Sequence, residues 1–183
     1  MTKAIIVHGW DGSPKEQLHQ WLKKELEEKG WEVEIPKMPT PEEPTIEGWV
    51  SKLYDYSIDE NTYFIGHSIG CQAIMRYLDR IEGKVGGLIF LAPWTHLQSL
   101  EPEEQETAAP WLESAIDFDR VKEKTNKITC IFSDNDPYVP LTEKEVFELM
   151  LDAETLVLKK KGHFTQEDGV TELPIILEKL GVI

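Results

Sequence analysis

Residues 62–81 read TYFIGHSIGCQAIMRYLDRI, and this stretch indicates the fold of the whole chain. Residues 62–65 form a largely apolar run that is typical of a buried strand, and residues 71–81 place apolar side chains at helical spacing. Only the five residues from Gly66 to Gly70 separate the two elements. The chain therefore passes directly from a strand into a helix, which is the first half of a βαβ unit.

The same alternation of strands and helices continues on both sides of this stretch. Apolar runs predict strands at residues 4–7, 31–35, 62–65, 85–91, 127–132 and 155–158. Amphipathic runs predict helices at residues 15–29, 45–56, 71–81, 119–124, 142–151 and 170–180, the last of which could begin at Pro174. We therefore predict an α/β fold, a three-layer α/β/α sandwich with a mostly parallel sheet of about five or six strands.

The length of the chain, 183 residues, corresponds to one domain that spans residues 1–183. The alternation breaks at about residues 94–116, where we expect a short lid-like insertion. A chain of this length buries a full core without cross-links, so Cys71 and Cys130 are expected to be buried free thiols. A disulfide between them is the less favoured alternative.

The charge of the chain excludes some partners, because 19 Lys+Arg oppose 34 Asp+Glu and give a net charge of −15. Nucleic acids and anionic membranes attract Lys and Arg, so we expect neither as a partner. No apolar run resembles a membrane span or a signal peptide, which predicts a cytoplasmic location. No cluster has metal-ligand spacing and no Gly-rich loop is of nucleotide type, so we expect neither a metal nor a cofactor.

The turn Gly66-His67-Ser68-Ile69-Gly70 fits the pattern G-x-S-x-G, in which a serine lies on a strained strand-to-helix turn. Such a turn presents the serine hydroxyl above the edge of the sheet, and the helix that follows favours negative charge near its N-terminus. Ser68 is therefore the candidate nucleophile. A Gly-rich turn without a chemical role is the alternative.

A base for Ser68 must come from a loop at the same edge of the sheet. His163 is the one histidine downstream of Ser68 that follows a predicted strand, so we predict it to be the base. Of the other four, His8 is expected to be structural, His67 to pack and His19 to be solvated. His96 lies in the irregular segment and could approach the substrate.

The acid that orients the base should follow the predicted strand at residues 127–132. Two aspartates compete there, Asp134 and Asp136. We favour Asp136, because Pro137 restricts its backbone and the acid must be held rigidly. Asp134 is then expected to bind local backbone N–H groups.

The oxyanion of an acyl-transfer reaction needs two donors, and the backbone N–H of Ile69 is the first candidate. The second should come from the loop after the first strand, where Trp10 is the best candidate and Gly9 makes the tight turn. The Trp10 side chain could also line the acyl pocket.

Together these segments resemble the small serine hydrolases related to retinoblastoma-binding protein 9, which are compact α/β-hydrolases without a large cap domain. The resemblance covers nearly the whole chain and rests on His8-Gly9-Trp10, residues 66–70, residues 133–140 and Gly162-His163-Phe164. It implies Ser68, Asp136 and His163 as nucleophile, acid and base, and hydrolysis of small esters or amides. The L-x-C-x-E segment associated with retinoblastoma binding does not occur in this sequence, so that partner is not implied.

We therefore expect a serine hydrolase that acts on small-molecule acyl substrates, with carboxylic esters favoured, through a Ser-His-Asp triad and an acyl-enzyme intermediate. Thioesterase, small peptidase and lactonase activities use the same machinery and remain open. A non-catalytic protein-binding module on a hydrolase scaffold is the alternative from another class. The order Ser, Asp, His favours the enzyme, because a binding module has no physical need of it.

The negative charge is concentrated in one part of the chain. Residues 85–119 contain seven acids and no Lys or Arg. A solvated acidic loop is the simpler interpretation, and the sharper hypothesis is an entrance that disfavours anionic substrates.

Overall fold

The computed structural model describes residues 1–183 and contains one six-stranded parallel sheet in the order β2-β1-β3-β4-β5-β6. The strands are β1 (Lys3–Val7), β2 (Glu32–Glu34), β3 (Thr62–His67), β4 (Gly87–Leu91), β5 (Ile128–Ser133) and β6 (Glu154–Leu158). The helices are α1 (Gln17–Glu28), α2 (Ile46–Leu53), α3 (Ile69–Arg80), α4 (Pro102–Glu113), α5 (Phe118–Lys122), α6 (Glu143–Leu151) and α7 (Pro174–Leu180). The predicted α/β fold with a parallel sheet is confirmed.

The order of the strands follows from right-handed crossovers between parallel neighbours. The connection from β1 to β2 runs in one direction across the sheet, and the later connections run in the other. The connecting helices therefore lie on both faces of the sheet. Helix α1 packs on one face, and helices α2, α3, α5 and α6 lie side by side on the other. The inner strands β4 and β5 are buried along their whole length, which explains their continuous apolar sequence.

All strands point the same way, so their carboxyl ends lie at one edge of the sheet. The loops that leave β1, β3, β5 and β6 at this edge carry Trp10, Ser68, Asp136 and His163. The topology thus assembles four segments that are far apart in the sequence.

Helix α4 is an element that the sequence pattern did not predict, because residues 94–116 were expected to be irregular. Only two of its side chains, Ala108 and Trp111, are buried, so its apolar periodicity is weak. Its start is stabilised by Pro102 in the first turn and by the Glu104 carboxylate, which accepts the Glu101 N–H at 2.8 Å.

The C-terminal end of α4 is held by a buried arginine of α3. Arg76 is 3% exposed and donates to the carbonyl oxygens of Trp111, Ser114 and Ala115 at 2.6, 2.9 and 3.2 Å. Trp111 lies in the last turn of α4 and Ser114 is its C-cap, where a helix end leaves carbonyl groups without a partner. A charged group from α3 therefore fixes α4 over the edge of the sheet where Ser68 lies.

His19 in α1 differs from the expectation of a solvated side chain, because it is only 2% exposed. It shares the buried face of α1 with Leu18 and Leu22, and its Nδ1 lies 3.3 Å from the carbonyl oxygen of Ser13. Burial disfavours the charged ring and lowers the pKa of His19 to about 4.

Two further expectations concern the thiols and the membrane. Cys71 and Cys130 are both free and buried, as predicted. No helix of the chain combines the length and the apolar character needed to cross a bilayer. The cytoplasmic location and the absence of a nucleic-acid partner stay predictions.

The burial of His19 predicts a loss of stability in mild acid. Between pH about 6.5 and about 4 the unfolded chain binds a proton at this position that the folded chain does not, so the free energy of unfolding falls as the pH falls. The full shift corresponds to about 3 kcal/mol. Urea unfolding at a series of pH values should show a smaller fall for His19→Gln, since glutamine does not titrate.

His96→Gln is the control for that experiment, because the His96 side chain is 79% exposed. It removes a histidine that is not buried, so its free energy of unfolding should fall more with falling pH than that of His19→Gln. An equal fall in His19→Gln and the parent would contradict the assignment.

Candidate active site

Ser68 lies on a strained turn between β3 and α3, with φ 52° and ψ −118°. Glycines on either side allow α3 to approach the sheet closely. A Cβ on Gly70 would lie 2.5 Å from the carbonyl oxygen of Val7, and one on Gly66 would lie 3.0 Å from backbone atoms of Cys71. The glycines of the G-x-S-x-G pattern are therefore required by contacts, and the residue between them adopts a conformation that L-residues rarely take.

The hydroxyl of Ser68 has a donor that the sequence did not reveal. Trp94 follows β4, is 1% exposed, and donates from its indole Nε1 to Ser68 Oγ at 3.3 Å. The side-chain amide of Gln72 in α3 donates to the Trp94 carbonyl oxygen and holds the tryptophan in place. Since no group of the chain accepts the Ser68 proton, the hydroxyl is free to donate.

The predicted acid and base are in direct contact. His163 Nδ1 lies 2.8 Å from Asp136 Oδ2, and the Asp136 side chain is 2% exposed. The other carboxylate oxygen accepts the backbone N–H groups of Tyr138 and Val139 at 2.9 and 3.0 Å. The carboxylate is thus fixed from two sides and fixes the imidazole with its Nδ1 protonated, which leaves Nε2 as the basic atom.

The loop that carries His163 is held by the residues just before Asp136. The side chains of residues 133–135 accept hydrogen bonds from the backbone N–H groups of residues 160–162. Asp134 accepts from Lys160 at 2.7 Å, Ser133 from Lys161 at 3.0 Å, and Asn135 from Gly162 at 2.9 Å. Asp134 therefore binds backbone N–H, as expected, but across 26 residues rather than in its own turn. The roles of Ser133 and Asn135 were missed, since nothing in a single sequence pairs these two loops.

His67 links the base to the nucleophile turn. Its Nε2 lies 2.7 Å from the carbonyl oxygen of His163, so Nε2 carries the proton and donates. Burial and the neighbouring His163 ring lower the pKa of His67 well below its usual value. The sequence predicted packing for His67, and the structure adds that its neutral ring holds the backbone of the candidate base, His163.

The loop after β1 carries Trp10, which lines the same cavity as Ser68. Neither Trp10 N–H nor Ile69 N–H has an acceptor within the chain, which fits donors that are reserved for a ligand. His8 fixes this loop: it is fully buried, its Nε2 accepts the Met38 N–H at 3.3 Å, and its Nδ1 donates to Gly9 O at 2.8 Å. Burial lowers the pKa of His8, so it is a neutral structural residue, as expected.

A cavity of about 500 Å³ opens beside these groups. It is lined by Ser68, His163, Trp10, Tyr138, Leu97 and Leu100, among others. The structure thus brings the candidate nucleophile and base to one cavity, although Ser68 and His163 are not hydrogen-bonded to each other. His96 does not reach this cavity, because its side chain is exposed and contacts Glu143 at 3.2 Å.

Comparisons with known proteins agree with this architecture. A model of the serine hydrolase family matches residues 4–181. The Bacillus subtilis protein YdeN, named as a hydrolase, is 31% identical over 98% of this chain and 95% of its own length. The rat serine hydrolase RBBP9 is 29% identical over 89% of this chain and 87% of its own.

Solved structures extend the comparison. The crystal structure of the Bacillus subtilis ydeN gene product superimposes with a TM-score of 0.91 at 28% identity and covers 99% of this chain and 97% of that chain. Est1E from Butyrivibrio proteoclasticus, solved with bound ferulic acid, superimposes with a TM-score of 0.73 at 18% identity over 99% of this chain and 90% of that chain. The second similarity is one of fold alone.

The hydrogen bond from Trp94 predicts an effect on the reactivity of Ser68. Trp94→Phe keeps an aromatic ring but removes the N–H that orients Oγ and stabilises charge on it. The rate of inactivation by a fluorophosphonate should fall about 3- to 10-fold, as expected for one lost neutral hydrogen bond.

Trp49→Phe is the matched control for that measurement. Trp49 is also fully buried, and its indole donates to the Pro39 carbonyl oxygen at 2.9 Å, away from the cavity. It should lower the melting temperature and slow inactivation less than Trp94→Phe does, because the Trp49 indole makes no hydrogen bond to Ser68. Equal inactivation rates for the parent and Trp94→Phe would show that the hydrogen bond has no such effect.

Proposed function

Because the chain belongs to the serine hydrolase family, we propose that it hydrolyses small carboxylic esters through an acyl-enzyme intermediate on Ser68. The observation that carries the proposal is the 2.8 Å contact between Asp136 and His163 at the cavity into which Ser68 opens. In this proposal residues 1–183 are a single hydrolase domain, and residues 94–116, with α4, are a short lid-like insertion beside the cavity.

The first half of the proposed reaction forms the acyl-enzyme. His163 Nε2 takes the proton of Ser68 as Oγ bonds to the ester carbonyl carbon. The negative charge that develops on the carbonyl oxygen is stabilised by the N–H groups of Trp10 and Ile69. The tetrahedral intermediate then breaks its bond to the alcohol oxygen, which leaves with the proton from His163.

The second half releases the acid. A water molecule gives a proton to His163 and attacks the acyl carbon, and the same two N–H groups stabilise the second oxyanion. The bond from the acyl carbon to Ser68 Oγ breaks, and His163 returns the proton to Ser68. Trp94 acts again here, since its N–H donates to Oγ as this oxygen departs with growing negative charge.

We expect Asp136 to be essential for ester hydrolysis, and the neighbouring Asp134 provides a matched control. Asp136→Asn replaces the carboxylate that fixes the protonated Nδ1 of His163, and kcat for p-nitrophenyl butyrate should fall by about 10⁴-fold. Asp134→Asn keeps an oxygen that accepts the Lys160 N–H, so its kcat should stay within a few-fold of the parent. Similar kcat values for the two variants would contradict the proposed role of Asp136.

Ser68 should form the covalent bond. The parent chain should be labelled by a fluorophosphonate probe at one site, Ser68→Ala should not be labelled, and His163→Ala should be labelled orders of magnitude more slowly. Intact mass spectrometry with peptide mapping measures both site and rate. Equal labelling of Ser68→Ala would refute the mechanism, and full labelling without turnover of esters, thioesters or peptides would favour a non-catalytic binding module.

A further inference from the structure

The cavity beside Ser68 has a strongly one-sided charge. Five of its 14 lining residues are acids, namely Asp11, Glu42, Glu43, Glu103 and Glu104. None of the 14 is Lys or Arg, and none of the five acids takes part in an ion pair. The lysines at 159–161, which precede His163 in the chain, do not line the cavity either.

These acids come from three separate segments that surround one opening. Asp11 belongs to the loop after β1, Glu42 and Glu43 belong to the loop before α2, and Glu103 and Glu104 belong to the first turn of α4. Of these five carboxylates, only that of Glu104 makes a hydrogen bond within the chain, in which it accepts the Glu101 N–H. The remaining four carboxylates have no hydrogen-bond partner in the chain and are exposed to the solvent of the entrance.

The floor of the same cavity indicates that it receives a ligand. Ser68 is 7% exposed, opens into the cavity, and has a hydroxyl proton that no group of the chain accepts. The aromatic residues Trp10 and Tyr138 also line the cavity. The faces of aromatic rings attract cations. Unpaired carboxylates and aromatic rings around a nucleophile together favour a positively charged ligand.

We infer that the substrate hydrolysed at Ser68 is an ester that carries a positively charged ammonium group. This inference rests on the proposed function and adds the substrate class. The carboxylates concentrate a cation at the opening and repel an anion, and a low-dielectric cleft strengthens both effects. The ammonium group could belong to the acyl part or to the alcohol part of the ester, and two pairs of substrates distinguish these sources.

Each pair joins a cation with a neutral molecule of the same shape. For the alcohol part the pair is butyrylcholine and 3,3-dimethylbutyl butyrate. For the acyl part it is the p-nitrophenyl esters of 4-(trimethylammonio)butanoate and 5,5-dimethylhexanoate. At least one pair should show a kcat/KM about tenfold or more in favour of the cation at about 10 mM salt. The ratio should shrink near 1 M salt, where the Debye length falls to about 3 Å.

Variants that replace glutamate by neutral glutamine test whether the carboxylates at the cavity entrance cause the preference for the cationic ester. The triple variant Glu42→Gln, Glu43→Gln, Glu103→Gln removes three of the five carboxylates and should lower the cation-to-neutral ratio several-fold. The control variant Glu60→Gln, Glu113→Gln, Glu172→Gln removes three exposed, unpaired charges outside this cavity and should keep the ratio of the parent. A parent ratio of one in both pairs, or an equal loss in both triple variants, would overturn the inference.

Binding to Ser68→Ala separates this inference from the proposed function. The same pairs can be titrated against this variant by following tryptophan fluorescence, without any turnover. Tighter binding of a cation than of its neutral partner supports the charge preference even if no ester is hydrolysed, and equal binding overturns it. Failure of the parent to hydrolyse any ester would instead refute the esterase proposal.

Discussion

The backbone conformation of Ser68 is the constraint on which the rest of the site depends. Ser68 adopts φ 52° directly between β3 and α3, the helix begins at the next residue, and its first turn lies close to the sheet. That approach is so tight that a single methyl group on Gly70 would meet the Val7 carbonyl oxygen at 2.5 Å. The same contact places the first turn of α3, with the free N–H of Ile69, beside the loop that carries Trp10. Moving the helix outward would therefore disturb the candidate nucleophile and both candidate oxyanion donors together.

The part of the site that contains His163 is held in a different way, by hydrogen bonds between two loops. The residues that follow β5 bind the backbone that follows β6 through several hydrogen bonds, so the His163 loop is held even apart from the imidazole contact. His67 then joins the two halves, because it precedes Ser68 in the chain and donates to the His163 carbonyl oxygen. The His67 ring that joins the candidate base to the candidate nucleophile is buried and neutral, so this link leaves no buried charge that would have to be compensated inside the protein.

Much of the fold could be predicted because its signals are local. Continuous apolar runs marked the buried strands, and the turn around Ser68 marked the edge at which Asp136 and His163 would also be found. The features that were missed depend on contacts between distant residues. Trp94 reaches Ser68 from the loop after β4, Asn135 reaches the backbone of a loop 27 residues away, and the end of α4 is held by Arg76 of α3.

The charge of the cavity also depends partly on a local sequence pattern and partly on the topology of the sheet. The acidic run in residues 85–119 is visible in the sequence, but Glu103 and Glu104 meet Asp11, Glu42 and Glu43 only because the parallel sheet brings their loops to one edge. Carboxylates near an active site oppose the negative charge that an acyl transfer develops, which is a cost for any neutral ester. A positive charge on the substrate offsets this cost as it enters. In the reaction proposed here the acidic entrance and the candidate oxyanion donors are compatible parts of one site, because the carboxylates would act on the ammonium group and the N–H groups on the carbonyl oxygen.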